Sequence, residues 1–345
     1  MRLYKACKVP VEFWDYPDRP LDDSLFDQTA YVSMSNDGLL ISPLKIIHCA
    51  SIHYVSRFND PFRQFISSYL EIVPSTVGHR PNNYLYFFSN ENHEMQGRST
   101  EVIAVGLCIY LTQKLFGLRR SRITPIDDTK KRCDFQFEKN MLAYVVESKG
   151  RKGYTGKAIS DIFEKKDNYP DTMPKYGVVS KIPRNGRKTT IDVVDPEYKP
   201  TEVTKVQQVV SLLRHYSAVS ELSGFWRLSD LLKSRARAIE NENTIDPFNR
   251  AALDFGNVLK VGTTIELSIS GINAEGFLTG SDQDISDKNN KMFYLMDKTL
   301  LSVLEEQDYD ALINYKFDYP EEKQAQDDGP YSVLDDGSIL YMNIG

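Results

Sequence analysis

The chain has 345 residues, 41% of them apolar, 26% charged and 11% aromatic, a length and balance that bury a core unaided and exclude a fibre or a chain disordered throughout. The net charge of −6 excludes a uniformly basic nucleic-acid coat. Charge is nevertheless uneven: residues 112–190 carry 19 Lys/Arg against 9 Asp/Glu, a balance of +10, whereas residues 1–111 and 191–345 stand at −3 and −13, so a basic segment able to attract a polyanion lies between two acidic ones.

In chain order, Ala30 to Met34 and Gly38 to Ile41 alternate apolar and polar positions around Asn36-Asp37-Gly38, which predicts a β-hairpin. Lys45 to Tyr54 predicts a further strand, and Pro61 to Ile72 has helical spacing through Phe62, Phe65, Ile66, Tyr69 and Leu70. Gly78 to Asn83 and Ser89 to Gly97 predict polar loops on either side of a short strand, Tyr84 to Phe88. Residues 1–97 are therefore expected to form a β-rich extension. From Ser99-Thr100-Glu101, a capping sequence, a largely buried helix is predicted to about Phe116, with Gly117 as its stop. Its apolar run, Val102 to Leu111, is the longest in the chain, yet its ten residues are too few to cross a bilayer. With no basic and apolar leader at the N-terminus, a cytoplasmic protein with no membrane partner is expected.

Cys133 to Phe137 and Leu142 to Glu147 predict a hairpin turning at Lys139-Asn140. A Gly- and Lys-rich loop after Lys149 leads to a helix from about Lys157 to Lys166, then to strands at Tyr176 to Ile182 and Thr189 to Val194. Thr201 to about Glu240 is predicted helical. Val261 to Ile269, Glu275 to Thr279 and Lys291 to Met296 predict strands, Leu300 to Tyr309 a helix, and Asp335-Asp336-Gly337 the turn of a last hairpin. The expected class is α/β: a mixed sheet flanked by helices over 98–195, followed by an acidic α+β region over 196–345 for which DNA mimicry, restraint of the active site and solubility are the candidate roles, solubility being favoured.

With Lys139 and Asn140 as a two-residue loop, Asp134 faces Val145. Because strand side chains alternate, residues 134, 145, 147 and 149 then project from one face. The other face collects Cys133, Phe135, Phe137, Leu142, Tyr144 and Val146, an apolar set suited to packing on the preceding helix. Asp134, Glu147 and Lys149 converge. Two carboxylates held close repel each other unless a cation lies between them, and oxygen ligation favours Mg²⁺ or Mn²⁺ over zinc. Such an ion lowers the pKa of an attacking water, while the Lys149 ammonium can position that water and stabilise charge on a scissile phosphate.

Asp134…Glu147-Ser148-Lys149, with helix, hairpin, Glu-x-Lys, helix and strand in this order over roughly residues 98–195, resembles the core of the PD-(D/E)xK nuclease superfamily, the fold of many restriction enzymes and recombination nucleases. The resemblance implies a restriction-endonuclease-like fold and a Mg²⁺-dependent nuclease that hydrolyses phosphodiester bonds, with DNA favoured over RNA. It implies Asp134 and Glu147 as metal ligands, the Ser148 backbone carbonyl as a third, Lys149 as the catalytic lysine and Glu101 as a further acidic member. Cys133 stands where the family pattern has proline. A setting in restriction or anti-phage defence follows from the resemblance. No nucleotide-hydrolysis motif is visible, so ATP-driven targeting would need a helicase or ATPase partner, and a double-strand cut would call on a homodimer.

Arg119, Arg120, Arg122, Lys130, Lys131, Arg132, Arg151, Lys152 and Lys157 are candidate contacts to a phosphate backbone, and Tyr154 can stack on a base or pack locally. A non-catalytic nucleic-acid-binding or scaffold subunit with this fold, and an RNA-cleaving relative, fit the same residues. Other signals are weaker. Gly156-Lys157 lacks the first glycine and the Ser/Thr of a P-loop, and Asp282, Asp284 and Asp287 lack the glycine and glutamate of a calcium loop. His48 is expected across a strand from Cys49 and His53, and His215 is expected to pack or face solvent. Cys7, Cys49, Cys108 and Cys133 form no CxxC pair and are expected to be buried thiols.

Overall fold

A computed structural model of the chain describes residues 5–14, 23–24, 26–57, 84–88, 93–126, 133–139, 141–166, 175–197, 201–245, 264–269, 272–277, 290–318 and 331–344. The chain divides into two units, one built on Met1–Val203 and one on Thr204–Gln324 with Asp328–Gly345. The first unit contains β1 (Cys7–Val9), β2 (Val11–Trp14), α1 (Gln28–Asp37), β3 (Leu39–Ile41), α2 (Pro43–Arg57), β4 (Tyr86–Phe88) and α3 (His93–Phe116). It continues through β5 (Ile123–Pro125), β6 (Phe135–Lys139), β7 (Leu142–Arg151), α4 (Gly156–Lys166), β8 (Lys175–Lys181), β9 (Asn185–Lys188), β10 (Thr190–Glu197) and β11 (Thr201–Glu202).

The main sheet has the order β2-β10-β8-β7-β6-β5, with β11 also pairing β7. It is mixed: β7 and β8 are parallel, as are β10 and β2, while β8 and β10 are antiparallel and β5, β6 and β7 form an antiparallel run. Alternate residues of β7 serve different layers. Tyr144 meets an aromatic cluster in which Phe116 of α3 lies 4.8 Å from Phe137, 5.9 Å from Tyr144 and 5.1 Å from Tyr176. On the opposite face Ala158 and Ile162 of α4 pack on Val179 and Val194. Gly177, the β8 partner of Glu147, makes room for this helix: a Cβ there would stand 2.6 Å from Ile162 Cδ1. The architecture is thus α/β, a mixed sheet flanked by helices.

The first hundred residues depart from the expected β-rich extension. The supposed hairpin over 30–41 is helix α1 followed by β3. Asp27 caps α1 by accepting from Ala30 N at 2.9 Å, and Gly38, at φ +81°, ends it by donating to Met34 O. Asn-Asp-Gly therefore stops a helix instead of turning a hairpin, which the left-handed glycine serves equally well. Lys45 to Tyr54 belongs to α2, not to a strand. Ser42 accepts from Lys45 N at 3.1 Å and Pro43 opens the helix, a start signal that outweighs the β-branched Ile46-Ile47 pair. The helix predicted from Ser99 begins at His93, so the expected loop through Gly97 is helical from that point. The helix proposed over 61–72 and the loop over 78–83 lie outside the described residues.

α3 is buried between α2 and the sheet. Gly106 allows the close approach, because a Cβ there would overlap the Ile46 carbonyl oxygen and lie 2.8 Å from Ile46 Cγ2. All four cysteines are buried free thiols. No helix among the described residues is long and apolar enough to cross a membrane.

The second unit contains α5 (Lys205–Leu222), α6 (Trp226–Glu242), β12 (Thr264–Ile269), β13 (Ile272–Phe277), β14 (Asn290–Asp297), α7 (Lys298–Glu306), α8 (Tyr309–Asn314), β15 (Tyr331–Val333) and β16 (Ser338–Ile344). Its strands form one antiparallel sheet, β12-β13-β14-β16-β15, and Gly337, at φ +82°, turns the last hairpin as expected. His215 is buried and meets Asp336 at 2.7 Å, so it packs and does not face solvent.

Replacing Gly106 by alanine should force α2 and α3 apart and cost about 1–3 kcal/mol, seen as a lower urea midpoint with an unchanged m-value. An unaltered midpoint would contradict the packing described.

Candidate active site

Strand β7 presents Glu147 and Lys149 on the face that α4 covers, and the β6–β7 hairpin brings Asp134 to the same place. The turn differs from the expected one. Phe135 pairs with Val146 and Lys139 with Leu142, so Lys139 belongs to the strand and not to the loop, which includes Met141 at φ +63°. The loop moves by one residue and every cross-strand partner by two, so Asp134 falls level with Glu147 and not with Val145. An even shift preserves the side-chain face. Asp134 N donates to Val146 O at 3.1 Å, and its carboxylate Oδ2 accepts from Ser148 N at 2.9 Å.

Glu147 is fully buried, with 0% of its surface exposed. Its Oε1 accepts from two ammonium groups: Lys149, two residues on, and Lys165 of α4, whose Nζ lies at 2.5 Å. Its Oε2 is buried and has no hydrogen-bond partner among the described residues. Burial, joined by repulsion from Asp134, pushes the Glu147 carboxyl up to about 7 against the pull of Lys149 and Lys165. Burial alone would lower Lys165, but the Glu147 carboxylate, with Asp134, holds it above the ordinary lysine range. On the other face of β7 the Cys108 thiol of α3 lies against Ser148 and Thr112; burial and then the Asp134 charge push it upward, so it stays a neutral thiol.

Of the residues expected at the site, Asp134, Glu147 and Lys149 come together. Lys165 was not anticipated. Its signal was present in the helix pattern, since it stands three residues after Ile162 and seven after Ala158, both fully buried, and so continues the apolar stripe toward the sheet. Glu101 is exposed on α3, and the charges acting most strongly on Glu147 are Asp134, Lys149 and Lys165.

The basic candidates divide. Arg120 is wholly buried and donates to Ile123 O at 2.5 Å and Cys49 O at 3.5 Å; having no exposed surface, it is a structural residue and not a phosphate contact. Arg122 pairs with Glu138 at 3.1 Å and Arg151 with Asp161 at 3.3 Å, each half-buried, while Lys152 donates to Gln96 at 3.1 Å. Arg119 is half-buried, and Lys157 is exposed on the first turn of α4. Lys130, Lys131 and Arg132 lie outside the described residues. Tyr154, in the loop between β7 and α4, is 85% exposed. His48, Cys49 and His53 lie on helix α2 and not on a strand, and Asp282, Asp284 and Asp287 lie outside the described residues.

Comparison with protein-family models, with curated proteins and with solved structures found no match.

Among the described residues no group of three or more His, Cys, Asp or Glu side chains is gathered as a caged metal would need. Mg²⁺ makes a smaller demand, since one or two carboxylates suffice when water and substrate complete its shell. The unpartnered, buried Glu147 Oε2 beside a second carboxylate fits such an ion.

Between about pH 4.5 and about 7 the folded chain holds a proton on Glu147 that the unfolded chain releases. This contribution to stability is therefore fully present below about 4.5 and is lost as pH rises through about 7. In metal-free buffer the wild type should lose stability relative to Glu147→Gln across this interval, by on the order of 3 kcal/mol at most. Denaturant titrations at several pH values measure the difference, and one constant with pH would count against the assignment.

Proposed function

We propose that the first unit is a divalent-metal-dependent nuclease of the PD-(D/E)xK type, with a restriction-endonuclease-like core, that hydrolyses phosphodiester bonds with DNA as the favoured substrate. The observation carrying this reading is the set Asp134, Glu147 and Lys149 on one sheet face, with a buried carboxylate oxygen left without a partner among the described residues. A buried carboxylate costs stability, and a site that keeps one is a candidate for chemistry.

In this reading Asp134, Glu147 and the Ser148 carbonyl would hold Mg²⁺ or Mn²⁺. Such an ion, when bound, would supply hydroxide near neutral pH and offset phosphate charge. Lys149 orients the attacking water and donates to a non-bridging phosphate oxygen as negative charge builds there. The phosphorus–oxygen bond opposite the incoming water breaks, leaving a phosphate monoester and an alcohol. Lys157 and Tyr154, exposed in the segment after β7, are the groups available to a phosphate backbone and a base. DNA over RNA, a defence setting and an ATPase or helicase partner belong to the same proposal.

A second reading, a nucleic-acid-binding subunit that has kept the fold without turnover, draws on the two ammonium groups that occupy Glu147 Oε1. Metal-dependent cleavage separates the two. With Mg²⁺ the purified chain should cut plasmid, single-stranded DNA or RNA, and Glu147→Ala or Lys149→Ala should lower the rate by roughly 100-fold or more. Cutting that survives in both variants removes the nuclease reading. Salt-sensitive DNA retention without products would leave the binding subunit.

A further inference from the structure

We infer that Lys165 holds the position of a second metal ion, so that the site takes one divalent cation per chain. The inference rests on the nuclease reading and specifies how its metal is used. With Glu147 ionised, as a bound cation requires, Asp134 and Glu147 bring two negative charges and Lys149 and Lys165 two positive ones, so the cluster is balanced before the cation itself is counted. One divalent cation leaves an excess of two positive charges. A phosphodiester and an attacking hydroxide supply two negative charges and restore the balance. A second divalent cation would leave an excess that a buried site has nothing to offset.

The contacts agree with the charge count. Both ammonium groups lie on Glu147 Oε1, which denies that oxygen to a further cation, whereas Oε2 is unpartnered and buried. Lys165 comes from a different element than Lys149. Its position is fixed by the packing of Ala158 and Ile162 on Val179 and Val194, so it does not depend on the Glu-x-Lys spacing of β7. Its charge acts on the cation through Glu147, which makes it a positioning residue.

Isothermal titration of the DNA-free chain with Mn²⁺, with electron paramagnetic resonance counting the free ion, tests this. The wild type should bind one Mn²⁺ per chain, and Glu147→Gln should bind none. Lys165→Met, which opens Oε1 and removes a repelling charge, should bind a second Mn²⁺ or bind the first roughly tenfold more tightly. Lys165→Arg should restore the wild-type behaviour. Two ions on the wild-type chain, or a Lys165→Met variant identical to it in number and affinity, would overturn the role of Lys165 and leave the metal-dependent reading standing. No Mn²⁺ on either chain would overturn both. Should Lys165→Met not fold, the count on the wild-type chain decides alone.

Discussion

A carboxylate buried in the middle of a sheet persists only where cations are brought to it, and in the first unit that constraint falls on Glu147. Water would otherwise solvate the charge, and a side chain with no exposed surface is withdrawn from bulk solvent. Lys149 answers from the same strand face and Lys165 from the helix above it. The course of the chain from β7 through α4 to β8 can be understood from this need. The helix must return across the sheet close enough for a lysine to reach the strand it has just left, and the parallel β7–β8 connection provides the crossing.

The same need takes up several of the 19 lysines and arginines of the basic segment. Arg120 is given over to backbone carbonyls, Arg122 and Arg151 to carboxylates, and Lys149 and Lys165 to Glu147. Part of the local stock of lysine and arginine is therefore internal counter-charge for the fold. The remainder, of which Lys157 is the clearest described case, is what a polyanion would meet.

What could be read from the sequence was decided by how far each feature depends on neighbours distant along the chain. The Asp134, Glu147 and Lys149 arrangement was legible because strand parity is local and survives a turn placed one residue off. The buried helix ending at Gly117 was legible from its all-round apolar surface. Lys165 was not seen because a lysine on an amphipathic helix is ordinarily solvated, and only the register of α4 on the sheet turns it inward. The Arg119-Arg120 pair is two adjacent arginines with no sequence cue to separate the half-buried one from the wholly buried one. α1 and α2 read as strands in the sequence because short alternating or β-branched runs fit either period, while the deciding signals are the caps Asp27, Gly38 and Ser42.

Gly177 sits beside Glu147 in the neighbouring strand and leaves the gap that Ile162 fills. The spacing between helix and strand is set there, by the smallest side chain available, at a residue with no acid, base or ligand of its own. Enlarging it would lift α4 as a rigid bar and carry Lys165 out of reach of its carboxylate. The electrostatic state of the site is in this way tied to a steric gauge one strand away.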